Sequence, residues 1–292
     1  MGQVISRGPA QPHCLICGGQ RHVPIFNEFG IDILRCRECR HVFSAFPADP
    51  HYEGFWGEEV PDSEHFYWQT ARSPMYEDFF RRFLTERSGR LLDMGSGLGF
   101  FLKAAAAHRS WEVYGCEISP AAVKYATERL GLTNISRTRL QDADLPPNFF
   151  DIITMWDVLD HIAQPDSVLT HCHTLLKRGG VCFIRVPNIS VQLWRARLKK
   201  LFYGIRDGEN YLQAKNHPHH YATSTIRRLF ERNGFSRVQF VHLKPVQGPT
   251  GRPTALSVAF KAVCFEVVRS LAFLSAGRLN FDNLFVVAHK ES

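Results

Sequence analysis

A short glycine-rich stretch, residues 90–103, constrains this chain more than any other part of its sequence. It reads RLLDMGSGLGFFLK. The apolar residues before Asp93 predict the end of a buried strand, and the FFLK end begins a helical pattern. Between them, Gly95, Gly97 and Gly99 predict a tight turn, because glycine adopts positive φ angles and lets backbone approach a ligand closely. This order of strand, turn and helix places free N–H groups at the carboxyl edge of a sheet, where open α/β folds bind ligands.

The spacing of the three glycines distinguishes two kinds of α/β site. Dinucleotide-binding turns have the pattern G-x-G-x-x-G. Here the pattern is Gly95-x-Gly97-x-Gly99, and Asp93 lies two residues before the first glycine. This form resembles motif I of the class I S-adenosylmethionine (SAM)-dependent methyltransferases. The resemblance implies an α/β, Rossmann-like sheet of seven strands, SAM as the cofactor, and SAM contacts from Asp93 and the three glycines.

A second acid follows at the distance expected for a ribose ligand. Residues 111–117 predict the second strand, and Glu117 ends it, 18 residues beyond Gly99. A carboxylate at this edge can accept hydrogen bonds from both ribose hydroxyls, which is why such folds place an acid here. Ser119 and Pro120 then predict the start of a helix, as N-cap and first helical residue.

The segment after the fourth predicted strand extends the resemblance. It reads WDVLDHIAQP, similar to the Leu-Glu-His-x-x-x-Pro pattern that the family usually has there, with Asp160 in place of the glutamate. The resemblance implies that Trp156 and Asp157 line the adenine and methionine ends of the SAM site. It also implies that Asp142, in an earlier loop, holds the adenine amino group, and Asp144 is an alternative for that role.

Predicted strands and helices alternate through most of the chain, which indicates a mostly parallel, doubly wound sheet. The resemblance covers residues 89–187 and returns at 221–235, a helix that precedes the final hairpin. The last two strands, at 238–243 and 281–288, are expected to pair. We therefore predict a class I methyltransferase domain over residues 88–292.

Four of the eight cysteines form two C-x-x-C pairs near the amino terminus: Cys14 with Cys17, and Cys36 with Cys39. Eighteen residues separate the pairs, a spacing typical of a zinc ribbon in a reducing compartment. A four-cysteine zinc site leaves no coordination position open to water, so the Zn²⁺ would be structural. We predict a small zinc ribbon within residues 1–46.

Residues 47–87 are crowded with aromatic side chains, and a helical pattern begins at about Ser73. We predict an aromatic helical bridge whose side chains pack mostly between the ribbon and the main domain. Tyr52 or Tyr76 could instead close over the cofactor, and the sequence alone does not separate these two roles.

Two insertions have amphipathic patterns. Residues 190–206 place apolar residues at helical spacing among basic ones, a combination that lies on an anionic membrane or forms a solvated lid over the pocket. Residues 254–276 are the most apolar stretch, but Lys261, Glu266 and Arg269 argue against a membrane span and fall on one side of a predicted helix. The net charge of +7 permits an anionic partner. We expect a cytoplasmic protein, with peripheral contact at the inner face of the membrane as one option.

Methyl transfer to a hydroxyl or a carbon acid needs a group that removes a proton. The sequence NHPHHY stands before the late helix, where the family places acceptor-side residues, and His161 follows the fourth strand. Histidine has a pKa suited to proton transfer near neutral pH. We predict His220 or His219 as the base and His161 as a further candidate.

The acceptor class follows mainly from what the sequence lacks. An Asn/Asp-Pro-Pro-Tyr motif after strand four marks methylation of nucleobase amines in the wider superfamily, and here that position reads MWDV. We therefore expect a small-molecule acceptor and no nucleic acid. The ribbon, bridge and class I domain together resemble small-molecule methyltransferases, including sugar C-methyltransferases. This implies methylation of an oxygen or carbon of a small or lipid-linked metabolite, such as a sugar or polysaccharide precursor. The alternatives are an rRNA or tRNA methyltransferase with a zinc module, and a non-catalytic zinc-ribbon adaptor.

Overall fold

The computed structural model describes most of the chain, namely residues 13–46, 62–85, 87–206, 211–247, 255–274, 280–281 and 283–291. The predicted role of Tyr52, and the part of the aromatic bridge that precedes residue 62, lie outside these ranges. Within them the elements follow the predicted order closely.

Eleven strands are present in the described ranges. In chain order they are β1 (His22–Glu28), β2 (Ile31–Cys36), β3 (Val42–Ser44), β4 (Gly89–Met94), β5 (Trp111–Glu117), β6 (Ile135–Arg137), β7 (Phe150–Trp156), β8 (Leu176–Val186), β9 (His219–His220), β10 (Phe235–Val241) and β11 (Leu284–Lys290).

Eight α-helices connect or flank these strands. They are α1 (Asp62–His65), α2 (Ser73–Phe83), α3 (Phe100–Ala105), α4 (Pro120–Glu128), α5 (Pro165–Leu175), α6 (Ile189–Tyr203), α7 (Thr223–Arg232) and α8 (Ala255–Leu274). A π-helical stretch, Phe66–Ala71, joins α1 to α2, and single 3-10 turns occupy Leu140–Asp142 and Leu159–His161.

Seven strands form the main sheet, in the order β10-β11-β8-β7-β4-β5-β6. β8, β7, β4, β5 and β6 are mutually parallel, whereas β11 pairs antiparallel with both β8 and β10. The predicted seven-stranded α/β methyltransferase sheet is confirmed, including the final antiparallel hairpin. The carboxyl ends of the parallel strands meet at one edge, which is where the glycine turn and the segment after β7 are placed.

The main sheet is covered on both faces, and successive side chains of its central strands point alternately into the two apolar clusters. Leu91 packs into one apolar cluster together with Phe79 of α2 and Phe101 of α3. Leu92 packs into the other, together with Phe230 of α7. The aromatic bridge, as far as it is described, therefore completes the core of the main domain on one face.

A second, four-stranded sheet has the order β1-β2-β3-β9. Its last strand, β9, comes from the segment between α6 and α7, with Val42 opposite His220 and Phe43 opposite His219. Cys14 and Phe43 also belong to the same apolar cluster as Leu92 of the main sheet. The ribbon therefore packs against the main domain, and its sheet includes β9 from that domain. The sequence did not predict this pairing. The predicted boundary at residue 46 remains a prediction.

Helices α6 and α8 carry most of the exposed large apolar side chains of the described residues. On α6, Trp194 is 63% and Phe202 71% exposed. On α8, the exposed apolar residues are Phe260, Val263, Val267, Leu271 and Leu274. Of the helices whose residues are described, none combines the length and the apolar character that crossing a bilayer requires.

Candidate functional site

A cavity of about 750 Å³ opens at the carboxyl edge of β4, β5 and β7. Its size lies in the range of small-molecule sites. One part of its wall is the glycine turn after β4, together with Glu117 and Trp156. Another part comes from the segment after β7 and the loop before β9, with Asp160, His161 and His217. The predicted cofactor residues and a set of potential proton acceptors therefore face the same space.

The glycine turn has the backbone conformation that the sequence predicts. Gly95 and Gly99 have φ angles of +77° and +84°, a region that residues with a Cβ rarely adopt. A Cβ on Gly95 would also lie 2.7 Å from a methyl carbon of Val158. The turn is held on β5, since the N–H groups of Gly95 and Ser96 donate to the Cys116 carbonyl at 2.8 and 3.1 Å.

Glu117 lines the cavity at the end of β5, and backbone donors fix its carboxylate in place. The N–H of Gly97 donates to one oxygen at 2.8 Å, and those of Ile118 and Ser119 donate to the other at 2.9 Å each. Burial raises the pKa of Glu117 although these donors act to lower it. The carboxylate is thereby preorganised to accept further hydrogen bonds from ligand hydroxyls in the cavity.

Asp93 is buried at the end of β4 and lines the same cavity. Thr154 on the neighbouring β7 donates to it at 2.7 Å. Burial raises the pKa of Asp93 to about 8, and the negative charge of Glu117 adds to this effect. A cationic group in the cavity would favour the ionised form, and SAM carries both a sulfonium and an ammonium.

Asp157 has a φ angle of +58°, which is uncommon for a residue other than glycine. Its carboxylate is ion-paired with Arg72, from the turn before α2, and with Arg185 of β8. Burial acts to raise the pKa of Asp157, but the guanidinium groups of Arg185 and Arg72 hold it below its usual value. Arg72 itself is buried and stacks on Trp68, 4.4 Å from the ring centre.

This arrangement gives Asp157 a role that the sequence did not reveal. Its carboxylate orients two arginines, and one of them, Arg185, lines the cavity with it. Nothing in the local sequence pairs residues 72, 157 and 185, so these arginines were missed. For Arg72 the sequence does contain one indication, the aromatic residues on either side of it, which could bury a guanidinium.

Two further predicted cofactor residues have different surroundings. Trp156 lines the cavity and packs edge-on against Tyr76, whose ring centre is 5.1 Å away. Asp142, on its 3-10 turn, and Asp144 are both exposed, and neither is among the residues that line the cavity. Two neighbours of Asp142, Arg139 and Gln141, line the cavity instead. The roles assigned to Trp156 and Asp142 remain predictions.

Three side chains converge at the part of the cavity after β7. Single ligand atoms of Asp160, His161 and His217 all lie within 4.8 Å of one another. Nε2 of His217 is 3.5 Å from a carboxylate oxygen of Asp160, and Nδ1 of His161 is 3.1 Å from the Asn216 carbonyl. Burial lowers the pKa of His217 although Asp160 acts to raise it, so this imidazole is neutral near pH 7.

His219 and His220 do not reach this position. They form β9 of the ribbon sheet, both are buried, and neither lines the cavity. His219 contacts His41 at 3.2 Å and donates to the Ala163 carbonyl at 3.1 Å. Their backbone pairs with β3 instead, and the assignment of one of them as the base stays a prediction. Of the three predicted bases, only His161 lines the cavity. His217 also lines it, although the sequence analysis placed this residue only within the histidine-rich segment and did not single it out.

The four amino-terminal cysteines form one cluster whose sulfur atoms lie within 4.8 Å of one another. The sulfurs of Cys14 and Cys39 are 3.4 Å apart, and those of Cys17 and Cys36 are 3.6 Å apart. Tetrahedral thiolates at 2.3 Å from a metal would be separated by about 3.8 Å. The donor set and its spacing fit a closed tetrahedral ion. Burial raises the pKa of Cys36, to about 11, and that of Cys39 further, so a bound cation would be needed to ionise both.

The sequence match decides the family. A family model described as a methyltransferase domain matches residues 67–239, more than half of the chain. The chain belongs to this methyltransferase domain family. It is therefore a SAM-dependent methyltransferase, and the expectation of an enzyme is confirmed.

The relatives of this methyltransferase include proteins named ubiquinone biosynthesis O-methyltransferase. The one from Pseudomonas aeruginosa is 28% identical over 179 residues, 58% of this chain and 73% of the relative. The one from Pseudomonas paraeruginosa is 32% identical over 114 residues, 36% of this chain and 49% of the relative.

Solved structures share the fold at lower sequence identity. A possible histamine N-methyltransferase from Thermotoga maritima has a TM-score of 0.52 at 16% identity, covering 82% of this chain and 98% of its own. Phosphoethanolamine N-methyltransferase 2 from Haemonchus contortus, solved with SAM, has a TM-score of 0.52 at 15% identity, covering 80% of this chain and 58% of its own. These likenesses support the methyltransferase fold and do not distinguish between acceptors.

Proposed function

We propose that this methyltransferase transfers the methyl group of SAM to a hydroxyl oxygen of a small or lipid-linked metabolite. The observation that carries the proposal is the convergence of Asp160, His161 and His217 on the cavity that also holds Glu117 and the glycine turn. A hydroxyl acceptor must lose a proton as it is methylated, whereas a neutral amine attacks through its lone pair. A neutral imidazole beside a carboxylate can assist the removal of this proton.

The SAM site in this proposal consists of Asp93, Gly95, Gly97, Gly99, Glu117, Trp156 and Asp157. Glu117 would accept hydrogen bonds from the ribose hydroxyls, because its carboxylate faces the cavity and is fixed by three N–H groups. Asp93 would lie near the positively charged end of SAM. Asp157 would act indirectly, by holding Arg185 at the cavity wall. Methyl transfer is an in-line displacement, so the main contribution of these residues is alignment.

The relatives named as O-methyltransferases favour oxygen over carbon as the acceptor atom. A sugar or polysaccharide precursor also offers hydroxyl groups and remains within the proposal. Methylation of rRNA or tRNA is an alternative that an acceptor screen separates, whereas methylation of carbon is separated by identifying the methylated atom of the product.

We also propose that Zn²⁺ occupies the four-cysteine cluster and stabilises the fold. Cys14, Cys17, Cys36 and Cys39 would hold the ion as thiolates, leaving no coordination position for water or substrate. Cys14 and Cys36 are buried in the apolar cluster that the ribbon shares with the main domain. The ion would therefore support the docking of the ribbon, and with it β9.

Helix α6 supports peripheral contact with an anionic membrane from the cytoplasmic side. Its exposed Trp194, Leu201 and Phe202 alternate with basic residues, and aromatic and basic side chains on one helix favour the interface of an anionic bilayer. Sedimentation with phosphatidylglycerol vesicles should therefore exceed sedimentation with phosphatidylcholine vesicles. Trp194→Ala should reduce this difference, and equal sedimentation with both vesicles would contradict the membrane contact.

The cofactor site is tested by calorimetric titration with S-adenosylhomocysteine. We expect saturable binding that Glu117→Ala weakens by about 1 kcal/mol or more, the scale of a hydrogen bond to a charged group. Glu112→Ala is the matched control, because Glu112 lies on the same strand, is exposed, and pairs with Arg90 away from the cavity. Equal affinities for the two variants would remove Glu117 from the site.

The acceptor class is tested by measuring S-adenosylhomocysteine release with four probes: a dihydroxybenzoate, a nucleotide sugar, a primary amine and an rRNA transcript. The proposal requires turnover with at least one of the two hydroxyl compounds. Turnover confined to the amine or to the transcript would overturn it.

A further inference from the structure

We propose that Asp160, His161 and His217 bind a divalent transition-metal cation that activates the acceptor hydroxyl. This inference rests on the proposed hydroxyl transfer and specifies how the acceptor loses its proton. The site is distinct from the four-cysteine cluster, and its ligands are two imidazoles and a carboxylate that share one cavity wall.

The first argument is the spacing between Asp160 and His217. At 3.5 Å, the nitrogen and the carboxylate oxygen are too far apart for a good hydrogen bond. Two ligands at about 2.1 Å from one ion, at a tetrahedral angle, would lie about 3.4 Å apart. The observed separation therefore matches two groups that face a shared ion better than two groups that bind each other.

The second argument is the unsatisfied carboxylate. The Asp160 side chain is only 3% exposed. Neither of its oxygens has a hydrogen-bond partner among the described residues. Burying a carboxylate in this state is costly unless a cation compensates its charge. The lysines and arginines whose ion pairs are described bind other acids, so the cavity itself is where a compensating cation can enter.

The third argument is the orientation of His161. Its Nδ1 lies 3.1 Å from the Asn216 carbonyl, which can only accept, so Nδ1 carries the proton. In the neutral ring this leaves Nε2 unprotonated. Metal-binding histidines commonly donate their other N–H to a backbone carbonyl in this way, which fixes both tautomer and ring orientation. Asn216 precedes His217, so one loop orients one ligand and supplies another.

The ligand set also indicates the class of metal. Imidazole favours first-row transition metals, whereas Mg²⁺ and Ca²⁺ favour sites made of oxygen ligands. Two histidines and one carboxylate therefore favour Mn²⁺, Co²⁺ or Zn²⁺. Three protein ligands leave coordination positions open toward the cavity, as in catalytic rather than structural sites.

An acceptor hydroxyl bound at an open position would lose its proton more readily, because the cation stabilises the alkoxide. The proton leaves to solvent through the cavity mouth. An oxygen lone pair then forms the new O–C bond to the methyl group, and the C–S bond breaks with its electron pair remaining on sulfur. The products are the methyl ether and S-adenosylhomocysteine, and the metal keeps its oxidation state.

The test uses the full-length protein with its cysteine cluster loaded with zinc, and Mn²⁺ as the probe. Electron paramagnetic resonance should show one saturable Mn²⁺ site that a tenfold excess of Mg²⁺ does not displace. Asp160→Asn and His217→Gln should each weaken Mn²⁺ binding at least tenfold. His171→Gln is the matched control, since His171 donates to the Ala143 carbonyl and lies outside the cluster. Unchanged S-adenosylhomocysteine affinity would show that each variant is folded.

Mn²⁺ binding that is absent, or that Asp160→Asn and His217→Gln leave unchanged in folded protein, would overturn the metal site. If hydroxyl methylation then persists in chelator and still requires Asp160, these residues act directly as bases, and the proposed function stands without the metal. If Mn²⁺ binds as expected but neither hydroxyl probe is methylated, the metal site is supported and the hydroxyl acceptor fails. The two proposals can therefore fail independently.

Discussion

The four-cysteine cluster and the Asp160–His161–His217 cluster are two groups of metal-ligand type with opposite properties. The first is made of four soft sulfur donors from two turns that all lie within a short segment, residues 14–39, and it closes around any ion it holds. The second has nitrogen and oxygen donors from segments more than 50 residues apart, and it borders a cavity of about 750 Å³. From this difference we propose that one cluster maintains the fold and the other serves chemistry, where an unsatisfied carboxylate is useful although it costs stability.

The largest effect is expected when the closed cluster loses a ligand. Cys36→Ser should remove the bound metal and lower the free energy of unfolding by at least about 3 kcal/mol, because metal binding there is part of folding. Metal content and thermal unfolding measure this. Cys264→Ser is the control, since Cys264 is exposed on α8 and lies outside the cluster. Equal melting temperatures for the two variants would show that the four-cysteine cluster does not stabilise the fold.

Asp160→Asn should have the reverse profile. We expect kcat/KM for the acceptor to fall by about 10²-fold or more, the range for losing assistance to proton removal. The melting temperature should stay the same or rise, because the variant removes a buried charge that has no hydrogen-bond partner in the described structure. Steady-state kinetics and calorimetry measure both quantities. A loss of stability as large as that of Cys36→Ser would mean that Asp160 holds the fold instead.

Asp93 tests whether the cofactor end of the cavity also costs stability. Its pKa is about 8 in the folded protein against an ordinary value of 3.8, so folding takes up a proton between about pH 4 and pH 8. The contribution of Asp93 to the free energy of unfolding should therefore fall as the pH rises through this window, by about 1 kcal/mol between pH 7 and 8.5.

Thermal unfolding of the ligand-free protein at the two pH values measures the Asp93 effect. His41, His217, His219 and His220 have lowered pKa values in the folded protein. At pH 7 they therefore remain partly protonated in the unfolded chain, and their contribution to the free energy of unfolding rises with pH and opposes that of Asp93. Asp93→Asn isolates the Asp93 contribution, because it should remove the fall in stability with pH and leave the histidine contribution unchanged. A slope that this substitution leaves unchanged would show that another group carries it.

The smallest effect on activity is expected for His220→Gln. His220 belongs to β9 and does not line the cavity, so kcat/KM should stay within about twofold and its pH profile should keep its shape. The pH profile of acceptor methylation is the measurement. A lost ionisation in that profile would restore His220 as the base predicted from sequence, and would place the chemistry on the ribbon side of the molecule.

Much of the cofactor side could be predicted because its signals are local. Asp93, the three glycines and Glu117 lie at strand ends that hydrophobic patterns identify, and the parallel sheet brings those ends together. Cys14, Cys17, Cys36 and Cys39 could be predicted for the same reason, since each pair lies within one turn. The role of Asp142 stays a prediction, because the sequence does not show which residue of its short loop reaches the cavity, and in the structure Gln141 lines it.

The sequence by itself determined the fold class, the order of the elements, the cofactor edge and the cysteine cluster. These features follow from hydrophobic periodicity and short-range spacing, which involve residues close together in the sequence. Only the tertiary structure decided which histidine meets Asp160, that Arg72 and Arg185 share Asp157, and that His219 and His220 complete the ribbon sheet. Each of these depends on contacts between segments far apart in sequence, where pairing register and the competition for buried partners select one side chain over its neighbours.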